Sequence, residues 1–129
     1  MRARRAKPFA PFTARALPII RSIPKGKVAS YGQLAAMAGS PLAARQIVRI
    51  LHSLSSRERL PWQRVIRSDG SIALRPGNGF ELQCAALTTE GVRVSRDGRV
   101  DMKKYGWKPS VAVRNRFFAS TAISTTLKW

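Results

Sequence analysis

Few side chains in this sequence are equipped for covalent chemistry. It has one cysteine, Cys84, and one histidine, His52, at no metal-ligand spacing, so no zinc site is expected. Six acidic residues are scattered over 129 positions, and no pair stands out as a carboxylate catalyst. No glycine loop that could cradle a phosphate is present. Cys84 could be imagined as a nucleophile, but it shares a helical face with Phe80 and Leu87 and reads as a small core residue. His52 falls on a basic helix face, which suits a surface or phosphate contact. The expectation is no catalytic residue, no metal and no cofactor.

What remains is a set suited to handling a displaced base. Tyr31 stands where a helix should begin, and backbone N–H groups there favour a phosphate. Arg45 lies early in the next helix, behind the small residues Ala43 and Ala44, which permit close approach to a groove. Trp62 and Arg75 flank a β-prone segment. An indole face and a guanidinium can hold a flat base by stacking and cation–π contact. Taken alone, Trp62 suits a core aromatic equally well.

The elements that must position these residues follow from spacing. Leu17, Ile20 and Ile23 recur at helical intervals from Thr13 to Ile23, with Pro18 starting or kinking that helix. Ser30 and Gln33 fit a capping box, so a helix should start at Tyr31 and end at Gly39. Ser40 should cap a second helix with Pro41 at its first position. Two helices joined by so short a turn are the helix-turn-helix signature. On the second helix, Ala44, Ile47 or Val48, Leu51 and Leu54 should face the core, and Arg45, Arg49 and His52 should face a partner. RVIRSDGSIAL reads as a hairpin around Ser68-Asp69-Gly70, and VRVSRDGRVDM as a second around Asp97-Gly98. A helix is expected from Phe80 to Thr89. The predicted fold class is mostly α with small β hairpins, a winged helix-turn-helix DNA-binding domain. Its expected divisions are a basic flexible arm over 1–11, the DNA-binding domain over 12–109, and a weakly specified tail over 110–129.

Charge points the same way. With 24 Lys and Arg the net charge is +18, and the first acidic residue is Glu58. A polyanion, most commonly nucleic acid, is the expected partner. A membrane surface is not expected, because the cations do not line a long amphipathic helix. No apolar run is long enough to span a bilayer, and a lone cysteine suits a reducing compartment. At 44% hydrophobic residues the chain should fold without a clamp.

Six stretches together resemble the alkyltransferase-like proteins, relatives of the O6-alkylguanine-DNA alkyltransferases. They are IPKGKVASYGQLAAMAG, SPLAARQIVRIL, LPWQRVI, SDGSIAL, LTTEGV and KKYGWKP, and they run from Ile23 to Pro109. Where the reactive relatives carry Pro-Cys-His-Arg, this sequence has Pro61-Trp62-Gln63-Arg64. The resemblance implies that Trp62 replaces the alkyl-accepting cysteine and Gln63 the histidine that activates it. It implies that Tyr31 rotates a phosphate, that Arg45 is the finger filling the vacated stack, and that Arg75 lines the pocket. Leu54 stands in place of a structural asparagine, and Glu90 is the acid of a relay whose partner is gone. The implied DNA-binding set is Tyr31, Ala44, Arg45, Arg49 and Ser68, and the implied alkylguanine pocket is Trp62, Val65 and Arg75. The recognition helix would enter the minor groove. The implied function is to bind double-stranded DNA with O6-alkylguanine, flip the lesion without alkyl transfer, and flag it for nucleotide excision repair proteins. The protein would act as a monomer, beside the nucleoid in a bacterial cytoplasm or in a eukaryotic nucleus. Two alternatives stay open: an active methyltransferase using Cys84, and a winged-helix regulator that reads undamaged sequence.

Overall fold

The computed structural model describes residues 9–117. Eight residues of the expected arm, 1–8, and residues 118–129 of the expected tail lie outside the described residues. Helix α1 spans Pro11–Arg21. It starts earlier than Thr13 because Pro11, lacking an N–H, costs nothing at a first helical position. Pro18 lies inside it without ending it, on the exposed side. Two further helices follow, α2 over Tyr31–Met37 and α3 over Ala44–Glu58. The Ser30 hydroxyl accepts from the Gln33 N–H at 3.0 Å and caps α2 as its sequence predicts. The reciprocal half of the box is absent, since Gln33 Nε2 donates instead to the Trp107 carbonyl at 2.9 Å.

The link between α2 and α3 departs from expectation. Gly39, at φ 88°, ends α2 in a left-handed conformation that a side chain would strain. The Ser40 N–H then donates back to the Ala35 carbonyl at 2.9 Å, so Ser40 belongs to the end of α2. Ser40 does not cap α3, and Pro41 and Leu42 form a turn before it. Residue Ala43 occupies the cap position, with no side-chain bond.

The first hairpin is also different. Strand β2, Val65–Ile66, pairs in parallel with β1, Ala29–Ser30, through Ala29–Val65 and Ser30–Ile66. The tight turn around Gly70 does form, with the Gly70 N–H on the Arg67 carbonyl at 2.9 Å. Beyond it the chain runs against residues 98–100 rather than back along β2, through an antiparallel Ser71–Arg99 bridge. The second hairpin forms as a Val94–Val100 bridge. Helix α4 occupies Phe80–Thr89, as its spacing predicts, and a short α5 occupies Met102–Tyr105. The described residues are thus mostly helical, with one two-stranded sheet among them.

That sheet divides two cores. Successive strand residues point to opposite faces. Ala29 and Val65 join the larger core, where α1, α2 and α3 bury Leu17, Ile20, Leu34, Ile47 and Leu54. Val28 and Ile66 join the smaller one with Ile72, Leu87, Val92 and Val100. On α3 the core positions are Ile47, Ile50 and Leu54, while Val48 remains 42% exposed. The Trp107 N–H donates to the Val28 carbonyl at 2.7 Å, which locks the KKYGWKP segment against β1. Residues 111–117 are helical, and Val113 and Phe117 pack on the larger core, so this part of the expected weak tail is specified. Among the described residues, no helix is long and apolar enough to cross a membrane.

Candidate DNA-binding cleft

Beside α3 lies a cleft of about 930 Å³. One wall is the α3 face carrying Val48, Leu51, His52 and Ser55. The rest of the lining includes Tyr31, Trp62 and Val65, the cation Arg67, and Leu74, Asn78 and Gln83. Its walls are therefore apolar and aromatic with a few polar groups, the usual make-up of a site for a flat organic ligand. Arg45 and Arg49 continue the same α3 face by helical spacing, since 45, 49, 52 and 56 recur at four, three and four residues, and His52 and Ser56 line the cleft. Both are exposed, and neither has a carboxylate partner among the described residues.

Trp62 is half-buried on a single 3₁₀ turn, Trp62–Arg64, that leads into β2. That turn is held from three sides. Gln83, buried on α4, donates through Nε2 to the Gln63 and Val65 carbonyls at 3.0 and 3.1 Å. Arg64 grips Glu90 with Nε at 2.9 Å and Nη2 at 2.7 Å, and its Nη1 reaches the Ile23 carbonyl at 2.8 Å. Gln63 Nε2 donates to Glu90 at 2.8 Å. Glu90 therefore has partners, contrary to the expected orphaned acid: the Gln63 amide donates to it, and the arginine adds a fork. The Arg64 hydrogen bonds, assisted by that from Gln63, hold the Glu90 carboxyl below its ordinary range against the opposing effect of burial.

The remaining expected site residues divide into two groups. Tyr31 and Val65 join Trp62 in the cleft. Burial pushes the Tyr31 phenol up, with the Arg67 charge opposing, so the hydroxyl stays protonated and able to donate. Ala44 is half-buried as the first residue of α3, and Ser68 is exposed in the turn after β2. Arg75 is exposed and does not line the cleft, although its neighbours Leu74 and Asn78 do. His52 lines the cleft as well as being exposed. Cys84 is half-buried against the smaller core and away from the cleft lining, and burial pushes its thiol up, followed by the nearby Glu81 charge. Among the described residues no cluster could hold a metal ion.

Sequence reasoning missed Ser55 and Gln83. Ser55 was findable, being one helical turn beyond Leu51. Its Oγ is buried without a hydrogen-bond partner among the described residues. Gln83 gives no sequence signal, because only its burial separates it from any other polar residue of a helix.

A basic helix beside this aromatic-walled cleft, on a helical frame, defines a DNA-binding domain of known family. The family model of the 6-O-methylguanine DNA methyltransferase, DNA binding domain, matches residues 11–92, and the chain belongs to that family. Within it, the similarity extends to members named for base handling. The chain is 42% identical over 98 residues to the DNA base-flipping protein of Vibrio parahaemolyticus, covering 76% of this chain and 97% of that one. It is 33% identical over 103 residues to Alkyltransferase-like protein 1 of Schizosaccharomyces pombe, covering 76% and 95%. The crystal structure of S. pombe Atl1 in complex with damaged DNA containing O6-carboxymethylguanine superposes with a TM-score of 0.70, over 76% of this chain and 95% of that one.

Proposed function

We propose that this protein binds duplex DNA containing O6-alkylguanine, extrudes the damaged base into the cleft, and holds it there without alkyl transfer. In this reading α2 and α3 form a helix-turn-helix, the Val94–Val100 hairpin is its wing, and α3 enters the minor groove. Arg45 occupies the gap left in the stack, and Tyr31 turns the adjoining phosphate. Arg49, Ala44 and Ser68 hold the backbone. Extrusion costs a few kcal/mol of stacking and pairing. Stacking on an aromatic side chain offsets about 1–3 kcal/mol of that. The single observation that carries the proposal is Trp62: its indole walls a cleft of about 930 Å³ that continues the basic face of α3.

The same wall argues against group transfer. Alkyl transfer needs a thiolate and a base to generate it. Indole offers no comparable lone pair, and Gln63 is a neutral amide already donating to Glu90. A methyltransferase using Cys84 is disfavoured, because that thiol is held protonated and sits outside the cleft lining. The bound, extruded lesion would then be a signal, and we propose nucleotide excision repair proteins as its readers. The test is Trp62→Ala titrated against matched duplexes with and without O6-methylguanine. The variant should lose about 1–3 kcal/mol on the alkylated duplex and little on the plain one. Equal losses on both would make Trp62 a packing residue and remove the pocket.

A further inference from the structure

A second cleft, of about 560 Å³, lies between the turn after α1 and the segment after α5. It shares no lining residue with the cleft that holds Trp62. Every charged residue lining it is a cation: Lys27, Lys103, Lys104, Lys108 and Arg116. None of them meets a carboxylate among the described residues. Lys27 Nζ donates to the Lys104 carbonyl at 3.2 Å, Lys104 stands over the Tyr105 ring, and Arg116 over the Phe117 ring. The uncharged lining, its floor, is different in kind: it includes Pro109, Val113 and the otherwise buried Trp107.

We propose that this groove docks an acidic, partly apolar peptide segment of another protein, at the same time as DNA occupies the Trp62 cleft. Five cations without a carboxylate partner among the described residues, set around a concavity, select a polyanion. The apolar floor selects against phosphate alone, which would use only the rim. A duplex presents a broad convex backbone, whereas a groove of this volume admits one extended chain with alternate carboxylates on the rim and apolar groups on the floor. The chain itself offers little counter-charge for it. The chain has six acidic residues against 24 basic, and residues 1–8 and 118–129 contain none. A second copy, also at +18, would be repelled.

The probe is a short fluorescein-labelled peptide of alternating glutamate and leucine, with a glutamine and leucine peptide as its neutral counterpart. Anisotropy is read on the full-length protein, free and saturated with a lesion duplex. Lys103→Ala with Lys108→Ala removes two exposed rim cations, and Arg59→Ala with Arg93→Ala removes two exposed cations elsewhere. The acidic peptide should bind both free and DNA-bound protein, the neutral one should not, and only the lysine pair should weaken binding, by at least about fivefold. Equal weakening by both pairs would reduce the effect to general charge attraction. Loss of duplex affinity with a lower salt slope, and no peptide binding, would make the groove a DNA-backbone contact. Displacement of the peptide by saturating DNA would merge it with the DNA face. Each of these three results overturns the proposal. None of them bears on base extrusion, which the Trp62→Ala comparison decides separately.

Discussion

Glu90 holds the turn that carries Trp62, and its charge can be removed with little change of shape. Glu90→Gln leaves the Arg64 fork facing a neutral amide. Hydrogen bonds to charged groups contribute about 1.5–3 kcal/mol, so the variant should lose about 2 kcal/mol at neutral pH. The carboxyl is held below its ordinary value of 4.5, so its contribution is full above that value and fades as pH falls through the folded value. Urea unfolding at pH 7 and at pH 3 reads this directly: the difference between the proteins should shrink at pH 3, and a constant difference would contradict it. Ser55→Ala should do the opposite at neutral pH, stabilising the free protein by about 1 kcal/mol, because it removes a buried hydroxyl that has no partner among the described residues. A loss in the same urea series would mean that the hydroxyl is satisfied. Trp62→Cys alone should not give rapid, stoichiometric alkylation by O6-methylguanine DNA, since a free thiol is only a few per cent thiolate near neutrality. Recovery of alkylated protein in stoichiometric yield would show that no activating histidine is needed. At this scale, residue type and family resemblance brought Trp62, Tyr31 and Val65 to one cleft. They did not reveal that Gln63 donates to Glu90, since the direction of a hydrogen bond depends on where Glu90 lies.

The element that decides the mechanism is α3, whose exposed face carries two arginines with different proposed tasks. Arg45 lies one turn closer to the helix start than Arg49. If Arg45 fills the emptied stack, Arg45→Ala should lower both affinity and extrusion. Arg49→Ala should lower affinity on both DNAs alike, reduce the salt slope by about one unit, and leave extrusion of bound DNA intact. Fluorescence of 2-aminopurine beside the lesion, at saturating protein and several salt concentrations, separates them. An unchanged extrusion signal for Arg45→Ala at saturation makes it another phosphate contact. Helix spans were readable where a local signal fixes them: the Ser30 cap, Gly39 and the 80–89 spacing each act within a few residues. The start of α3 was misplaced because the ending of α2 consumes Ser40, a competition between two local motifs. The parallel β1–β2 pair was unreadable for another reason. Its partners, Ala29 and Val65, are joined by tertiary packing of the helices between them, and no turn residue signals that.

Over the whole molecule, charge and shape separate two ways of holding DNA. A net charge of +18 favours any polyanion, and this attraction is common to damaged and undamaged duplexes. In the proposed reading the cleft favours only a base that has left the stack. Charge was plain in composition, whereas the division into two cores and the placing of residues 111–117 were not, because both arise from contacts between distant segments. The most direct measurement is a titration of the full-length protein with matched duplexes differing only in O6-methylguanine, at physiological salt, with the DNA recovered afterwards and its methyl content determined. The account predicts tighter binding of the alkylated duplex and full recovery of O6-methylguanine in the DNA. Equal affinity for the two duplexes, or methyl groups found on the protein, would contradict it.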